Sequence, residues 1–459
     1  MNITAPTGPH HTAQPKNILT VDLAAALESF KHPRRWWIAC SGGVDSLVLL
    51  HAVAALTRTA PGPWPELAVI HVNHQLNPRA SEWARHVEVC CAELAIPCVI
   101  KTVVVERASG LGIEAAARVA RYAAFESAVQ DQELLLQAHH RDDQIETLFL
   151  RLLRGSGLAG LTAIPRFRPL ARGNLLRPLL NVTRADIEQY ARAHQLQWIE
   201  DDSNTDVRFD RNFLRQNILP VIATRWSSYR ETLSRVIAQI SESQALLDEF
   251  AAADLSATQA ADGSLDAKSV ANFSARRQRN VLRYWLSRQN LPLPSAAQLD
   301  EILSIAVARE DTEPCVTWPG AEVRRFHYRL YAMPPLPPLP DHTWQGPWSP
   351  AVPAELPVAM GQVAATPQIG AGLRADREYQ IRTRREGDRC HPASRVHSQT
   401  LKKLFQEAAL APWWRDRIPV IVCGEEIAAV GDLWICRGYV APAHETGWQL
   451  QWRRPGAND

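Results

Sequence analysis

The sequence predicts an α/β fold class: a doubly wound parallel sheet, followed by a helical domain and a small α+β C-terminal domain. Three observations point there. Within the first 150 residues, apolar runs at 36–40, 67–72, 98–105 and 134–138 alternate with stretches of helical period. Near-continuous apolar strands between helices belong to a parallel sheet covered on both faces. Further on, Val221, Ile222, Trp226, Leu233, Ile237, Ile240, Leu247 and Phe250 recur every three or four residues, the period of one long amphipathic helix. Finally, ten of the 34 residues from 334 to 367 are proline. Proline fixes φ and removes a backbone donor, so this stretch reads as a semi-rigid linker before a last compact module.

In chain order, residues 1–18 are polar, include Pro6, Pro9 and Pro15, and read as a disordered tail. They lack the apolar core of a secretory signal, so export is not expected. The first domain then runs over 19–217, with helices near 46–57, 79–94, 114–129 and 142–153. In such sheets ligands bind beyond the carboxyl ends of the strands. The helical domain, 218–333, adds helices near 276–288 and 297–307 and a strand-like run at 321–332. The linker spans 334–372 and the final module 373–459.

With 46% apolar and 21% charged residues in 459, the composition is that of a globular protein. No window holds the roughly 20 apolar residues that span a bilayer, which excludes an integral membrane protein and leaves a cytoplasmic location as the expectation. The net charge of +2 says little about partners, but only six of 50 basic residues are lysine. Arginine suits bidentate contacts to phosphate, although a GC-rich genome gives the same bias. The eight cysteines contain no Cys-x-x-Cys pair, which argues against a zinc ribbon or a dithiol centre and for reduced thiols.

The strongest local signal is Ser41-Gly42-Gly43-Val44-Asp45-Ser46, placed between the first strand and its helix. Two glycines let the backbone approach a ligand closely, and hydroxyls, amides and a helix N-terminus together cradle phosphate. No Gly-Lys-Ser/Thr follows, so this is not a Walker A loop. A carboxylate beside phosphates is repulsive unless it faces a cation, which makes Asp45 the candidate ligand for Mg²⁺. A second constellation, His139, His140, Asp142, Asp143 and Glu146, follows the fourth strand. Helical spacing puts these carboxylates on shared faces, where they would bind Mg²⁺ or a cationic amine, or accept protons. A helix cap explains one acidic residue there but not the histidines.

Arg118 and Arg121 share a helix face with the spacing to grip phosphate, and Glu114 pairs with Arg118 at i,i+4, as on many ordinary surface helices. Beyond the acidic stretch 200–204, Arg208, Arg211 and Arg215 fall on one helical side. Residues 382–417 hold nine Lys/Arg, among them Arg384, Arg385, Lys402 and Lys403, against four acids, with Trp413 and Trp414 interleaved. Positive charge beside aromatic faces suits nucleic acid.

These residues carry a resemblance. The 41–46 loop resembles the pyrophosphate-binding loop of the N-type ATP pyrophosphatases, the PP-loop superfamily. His71-Val72-Asn73-His74-Gln75-Leu76, the 114–122 helix, 139–147 running into 151–161, and 200–215 are similar, in order and spacing, to the tRNA(Ile)-lysidine synthetase family. The 276–286, 323–331, 384–388, 401–405 and 412–419 stretches resemble that family's later domains. Asn77 stands where the family would have a basic residue, and Ala393-Ser394 where a glycine is expected.

The resemblance implies an ATP-binding catalytic domain, a tRNA substrate-binding domain and a C-terminal tRNA-binding domain. It implies an ATP- and Mg²⁺-dependent ligase that joins free L-lysine to carbon 2 of the wobble cytidine in a CAU-anticodon isoleucine tRNA, acting as a monomer or homodimer. Ser41, Gly42, Gly43, Val44, Asp45 and Ser46 would hold ATP, with Asp45 facing the metal. Asp142, Asp143 and Glu146 would bind the lysine cation, and His139 or His140 would take a proton. Arg118 and Arg121 would stabilise the α-phosphate or steer the anticodon stem. The arginines after 207 and the basic residues of the last module would contact tRNA. Two alternatives are a PP-loop tRNA thiolase, disfavoured by the missing Cys-x-x-Cys, and a non-catalytic nucleotide- and RNA-binding protein, which would not keep four acidic residues.

Overall fold

A computed structural model describes residues 18–30, 32–60, 63–106, 112–201, 205–307, 314–341, 343–357 and 359–455. The tail expected over 1–18 falls outside them except for Ile18, as do Asp202, Ser203 and Asn204. The chain divides into two compact units, Met1–Ala245 and Leu246–Asp459.

In the first unit the elements are α1 (Ile18–Leu27), β1 (Arg35–Ala39), α2 (Val44–Thr59), β2 (Glu66–Asn73), α3 (Ala80–Glu93), β3 (Cys98–Thr102), α4 (Ile113–Ala128), β4 (Glu133–Leu136), α5 (Arg141–Leu153), α6 (Leu158–Leu161), β5 (Phe167–Leu170), β6 (Gly173–Leu176), α7 (Arg184–Ala193), α8 (Asp210–Phe213), α9 (Leu219–Arg225) and α10 (Tyr229–Thr258), which continues into the second unit. The sheet order is β3-β2-β1-β4-β6-β5. All neighbours are parallel except β5, which pairs antiparallel with β6. Successive strand residues face opposite sides. Trp36 packs with Leu47, Val48 and Val53 on one face, and Trp37 with Phe125 and Leu135 on the other. Burial on both faces is why the central strands β1 and β4 read as apolar runs.

The single long helix expected from Val221 onward is instead two. α9 ends at Trp226, which leaves the helical region at φ −125°, ψ 79°, and α10 starts three residues later. Val221, Trp226 and Phe250 are more than 60% exposed, so part of the apolar period marks surface rather than core.

The second unit holds more strand than a helical domain suggests. β7 (Leu265–Asp266), α11 (Ala267–Ala271), α12 (Ala275–Arg288), α13 (Ala296–Ala306), β8 (Cys315–Trp318), β9 (Ala321–Phe326) and β10 (Arg329–Met333) form helices on a four-stranded sheet, β7-β10-β9-β8. Trp285, Leu286, Ile302, Val323 and Leu330 fill the core between them. The strand-like run at 321–332 is a hairpin. It turns at His327 and Tyr328, whose φ values of 45° and 60° supply the left-handed pair that a two-residue turn needs.

The proline-rich segment is not a linker throughout. It contributes β11 (Gln345–Trp348), β12 (Ala354–Glu355) and β13 (Gln362–Ile369). These join β14 (Leu373–Arg374), β15 (Tyr379–Arg382), β16 (Arg389–Cys390), β17 (Gln399–Thr400), α14 (Leu401–Glu407), α15 (Pro412–Arg415), β18 (Val420–Cys423), β19 (Glu426–Val430), β20 (Trp434–Ile435) and β21 (Thr446–Arg453). The larger sheets run β11-β15-β18-β19-β20 and β12-β13-β21-β14. Proline is compatible with a strand whose N–H side is unpaired. Pro347 lies on the edge strand β11, and Pro367 lies where β13 has only β21 beside it.

Trp413 and Trp414 are under 10% exposed and sit in this module's core, so they are packing residues and not a stacking platform for bases. The expectation of reduced thiols fails at one pair, because Cys390 and Cys436 form a disulfide; the other six cysteines are free. Among the described residues no helix is long and apolar enough to cross a membrane.

Candidate active site

The loop 41–46 leaves β1 at the carboxyl edge of the sheet and turns into α2. Gly42 has φ +91°, and a Cβ there would stand 2.8 Å from Ile199 Cδ1, so both backbone and space demand glycine. Ser46 locks the turn. Its buried hydroxyl donates to the Gly43 carbonyl at 2.9 Å and accepts from the Ser41 amide at 3.1 Å. Asp45, in the first turn of α2, accepts from Arg184 Nη1 at 2.6 Å through Oδ2, while Oδ1 is buried with no hydrogen-bond partner. Burial raises this carboxyl above the ordinary range against the pull of His140 and Arg184, and Asp143 adds to the rise.

β4 delivers the second constellation to the same edge. His140 caps α5, and its backbone N–H donates to Asp143 Oδ2 at 3.0 Å. The His140 ring has Nε2 at 3.6 Å from Asp45 and 3.5 Å from Asp143, and Nδ1 at 3.9 Å from Asp142. Three carboxylates therefore surround one buried imidazole.

The three acids of α5 are not equivalent. Asp142 accepts from the Arg184 backbone N–H at 2.9 Å and from Arg230 Nε at 2.6 Å. Burial opposes its ionisation, but these two donors outweigh it and hold the carboxyl below its usual range. Glu146 is fully buried and forms a bidentate pair with Arg215 at 2.7 and 3.0 Å, with Arg211 at 3.5 Å. Burial wins there and raises its pKa. Burial opposes the ionisation of Asp143, but His140, the His140 amide and Arg211 outweigh it and hold the carboxyl below its usual range. Its nearest guanidinium, Arg215, stands off at 3.7 Å.

His139 lines a cavity of about 510 Å³ with Arg118, Tyr122, Thr147, Arg151, Arg168, Arg177 and Arg211. Five arginines around one cavity suit an anionic occupant. Arg118 and Arg168 lie over Tyr122, 4.9 and 4.8 Å from the ring centroid. Arg121, from the same helix as Arg118, is lowered mainly by burial and has Nε buried without a partner.

The arginines expected on one helical side after residue 207 separate. Arg211 reaches the cavity and donates to Thr147 at 3.1 Å, Arg215 is spent on Glu146, and Arg208 is 87% exposed and pairs with Asp206. A π-helical turn, Leu214–Ile218, breaks the regular spacing there. In the second unit, Arg384 pairs with Asp416 at 2.8 Å and lies over Phe405. Arg385, Lys402 and Lys403 are exposed.

The sequence offered Arg151 within the 151–161 stretch but gave it no role, and Arg168, Arg177, Arg184 and Arg230 were not singled out. One signal was available: Arg177 is a lone charge inside Leu175-Leu176-Arg177-Pro178-Leu179-Leu180, and such a residue needs buried partners.

A glycine-rich loop, a carboxylate cluster and a basic cavity follow the strands of one parallel sheet, the arrangement of a PP-loop protein, and residues 15–222 match the PP-loop domain model. Residues 265–331 match the TilS substrate binding domain, and 379–452 the TilS substrate C-terminal domain. The tRNA(Ile)-lysidine synthase of Coxiella burnetii is 39% identical over 91% of this chain and 93% of its own. That of Yersinia pseudotuberculosis is 38% identical over 97% and 98%. Among solved structures, the U34-tRNA thiolase NcsA of Methanococcus maripaludis overlaps 49% of this chain and 78% of its own, at 15% identity and a TM-score of 0.41. The chain belongs to the tRNA(Ile)-lysidine synthase family.

Proposed function

We propose that this chain is an ATP-dependent ligase that joins the ε-amine of free lysine to carbon 2 of the wobble cytidine in a CAU-anticodon isoleucine tRNA. It would act in the cytoplasm, where that tRNA is used. The observation that carries the reading is the placement of His139 and His140. These consecutive residues join the phosphate loop, through His140 and Asp45, to the arginine-lined cavity that His139 lines. A nucleotide on the loop would thus direct its α-phosphate toward a cavity built for anions.

In this reading the cytidine oxygen on carbon 2 bonds to the α-phosphorus and diphosphate leaves. The lysine nitrogen then bonds to carbon 2, the carbon–oxygen bond breaks, and AMP departs with that oxygen. Ser41 to Ser46 hold the leaving phosphates. The arginines of the cavity, Arg118 and Arg211 among them, stabilise charge on the transferred group.

Mg²⁺ fits the loop. Among the described residues no group of three or more ligating side chains is placed to hold a metal, but Mg²⁺ held by phosphates needs only one or two carboxylates. Asp45 offers Oδ1, which is buried without a hydrogen bond and 3.6 Å from His140 Nε2. The ion would neutralise the phosphates.

Lysine's amine is mostly protonated at neutral pH. Asp142 and Glu146 each accept from an arginine at 2.6–2.7 Å, whereas no guanidinium comes nearer to Asp143 than Arg215 at 3.7 Å, so Asp143 is the carboxylate to hold the ammonium. His140, whose Nε2 stands 3.5 Å from Asp143, is the residue placed to take the proton that the amine loses.

AMP and diphosphate release, measured with each substrate omitted in turn, tests the reading. Release should require tRNA, and turnover should require lysine. ATP hydrolysis indifferent to both would contradict it. An Asp143→Ala variant should lose most lysine-dependent turnover while still forming diphosphate; full lysine turnover would remove Asp143 from the mechanism.

A further inference from the structure

Arg177 lies in the segment after β6, is only 2% exposed, and serves three fixed acceptors. Nη1 donates to the Pro165 carbonyl at 2.6 Å, Nη2 to the Tyr122 hydroxyl at 3.3 Å, and Nε to His139 Nδ1 at 3.2 Å. A guanidinium has only donors. The third bond therefore requires a lone pair on Nδ1, and the proton of a neutral His139 must sit on Nε2.

We infer that Arg177 is a positioning residue that fixes His139 in its Nε2–H tautomer, so that His139 works as a hydrogen-bond donor into the basic cavity and not as a proton acceptor. The surroundings agree. The charged groups facing His139 are Asp143 on α5, Arg177, Arg121 on α4, and Arg211 on α8. Burial comes first in lowering the ring, and with the three arginines it outweighs Asp143 and brings the pKa down to about 3. With Nδ1 occupied and Nε2 already protonated, the ring has no site for a second proton near neutral pH.

The two histidines thus divide the work by their neighbours. His140 stands among carboxylates; His139, among arginines, stays neutral and donates. This rests on the proposed lysine transfer, in which the acceptor would be an oxygen of the adenylated base or its phosphate. The tautomer itself is a property of the free protein.

The test has two arms. In ¹⁵N-histidine-labelled protein without ligands, the resonances lost in a His139→Gln variant identify the ring. Nδ1 should show the shift of an unprotonated nitrogen and Nε2 that of a protonated one, unchanged from pH 5 to 8. Protonation at Nδ1, or titration within that window, would overturn the proposal. This arm reads out even if lysine transfer is not the reaction.

In the lysine-transfer assay, glutamine preserves both features, an oxygen to accept from Arg177 and an N–H to donate. His139→Gln should cost less than about tenfold in kcat, and His139→Ala roughly 100- to 1,000-fold, the loss typical of one transition-state donor. Equal losses in the two would overturn the donor role. Arg177→Lys keeps the charge but loses the fork. It should lower kcat with little change in KM for ATP and should mix the His139 tautomers. An unchanged tautomer in a folded Arg177→Lys protein would show that Arg177 does not set it.

Discussion

Asp142 and Glu146 show how neighbouring acids on one helix take different parts. Asp142 ties the start of α5 to α7 and α10 through the Arg184 amide and Arg230. A carboxyl lowered in the folded state gives stability that is fully present above its ordinary value, near 3.8, and is lost as pH falls through the folded value. Urea midpoints across pH 5 to 3 should therefore fall more steeply in the wild type than in Asp142→Asn; parallel curves would contradict the pairing. Glu146 depends on Arg215. Removing that partner leaves a buried charge, which costs 3–5 kcal/mol in a fully buried pair. Arg215 is 39% exposed, so Arg215→Ala should lose about 2–3 kcal/mol, read as a lower urea midpoint at constant slope. The sequence showed these carboxylates and their shared faces. It could not show their partners, because Arg184, Arg215 and Arg230 come from segments 42, 69 and 88 residues away.

The phosphate loop is the element where local sequence and structure agree most closely. Gly42→Ala would strain a positive φ, at about 1–2 kcal/mol, and press the new methyl on Ile199. KM for ATP should rise at least tenfold. Adding Ile199→Val removes Cδ1 and should recover part of the loss but not the backbone share; full recovery would mean that φ carries no cost.

Elsewhere, legibility followed how locally an element is determined. The first four of the five parallel strands, β1 to β4, were readable because each carries an apolar run. β5 and β6 are four residues each and carry Arg168, Pro169 and Asn174, so they gave no such run. The proline-rich strands stayed hidden because their partners lie far along the chain: β13 pairs with β21, with Gln362 opposite Arg453. The arginines of the cavity come from α4, α5, α8 and the segments around β5 and β6. No single window of sequence contains that cavity.

At the scale of the whole molecule, two expectations concern the second unit. Cys390 and Cys436 are paired, so alkylation in denaturant without reductant should label six of eight cysteines, and all eight after reduction. Eight without reductant would contradict the pairing. The bond closes a loop of 46 residues, and its removal should cost at most about 4 kcal/mol. The exposed cations Arg385, Lys402 and Lys403 lie in a chain of net charge only +2, so tRNA attraction must be local. Replacing all three with alanine should weaken tRNA binding and lower the salt slope of the affinity by roughly two to three. An unchanged slope would place the phosphate contacts elsewhere.

Nucleoside mass spectrometry reads lysine transfer to a tRNA base in a single product. Purified protein is incubated with ATP, Mg²⁺, lysine and unmodified CAU-anticodon isoleucine tRNA, and the digested tRNA is compared with a control lacking lysine. The expected product is a cytidine heavier by lysine less water, formed only when both lysine and ATP are present. AMP and diphosphate without that nucleoside would contradict lysine transfer, leaving an active phosphate loop whose nucleophile or acceptor is something else.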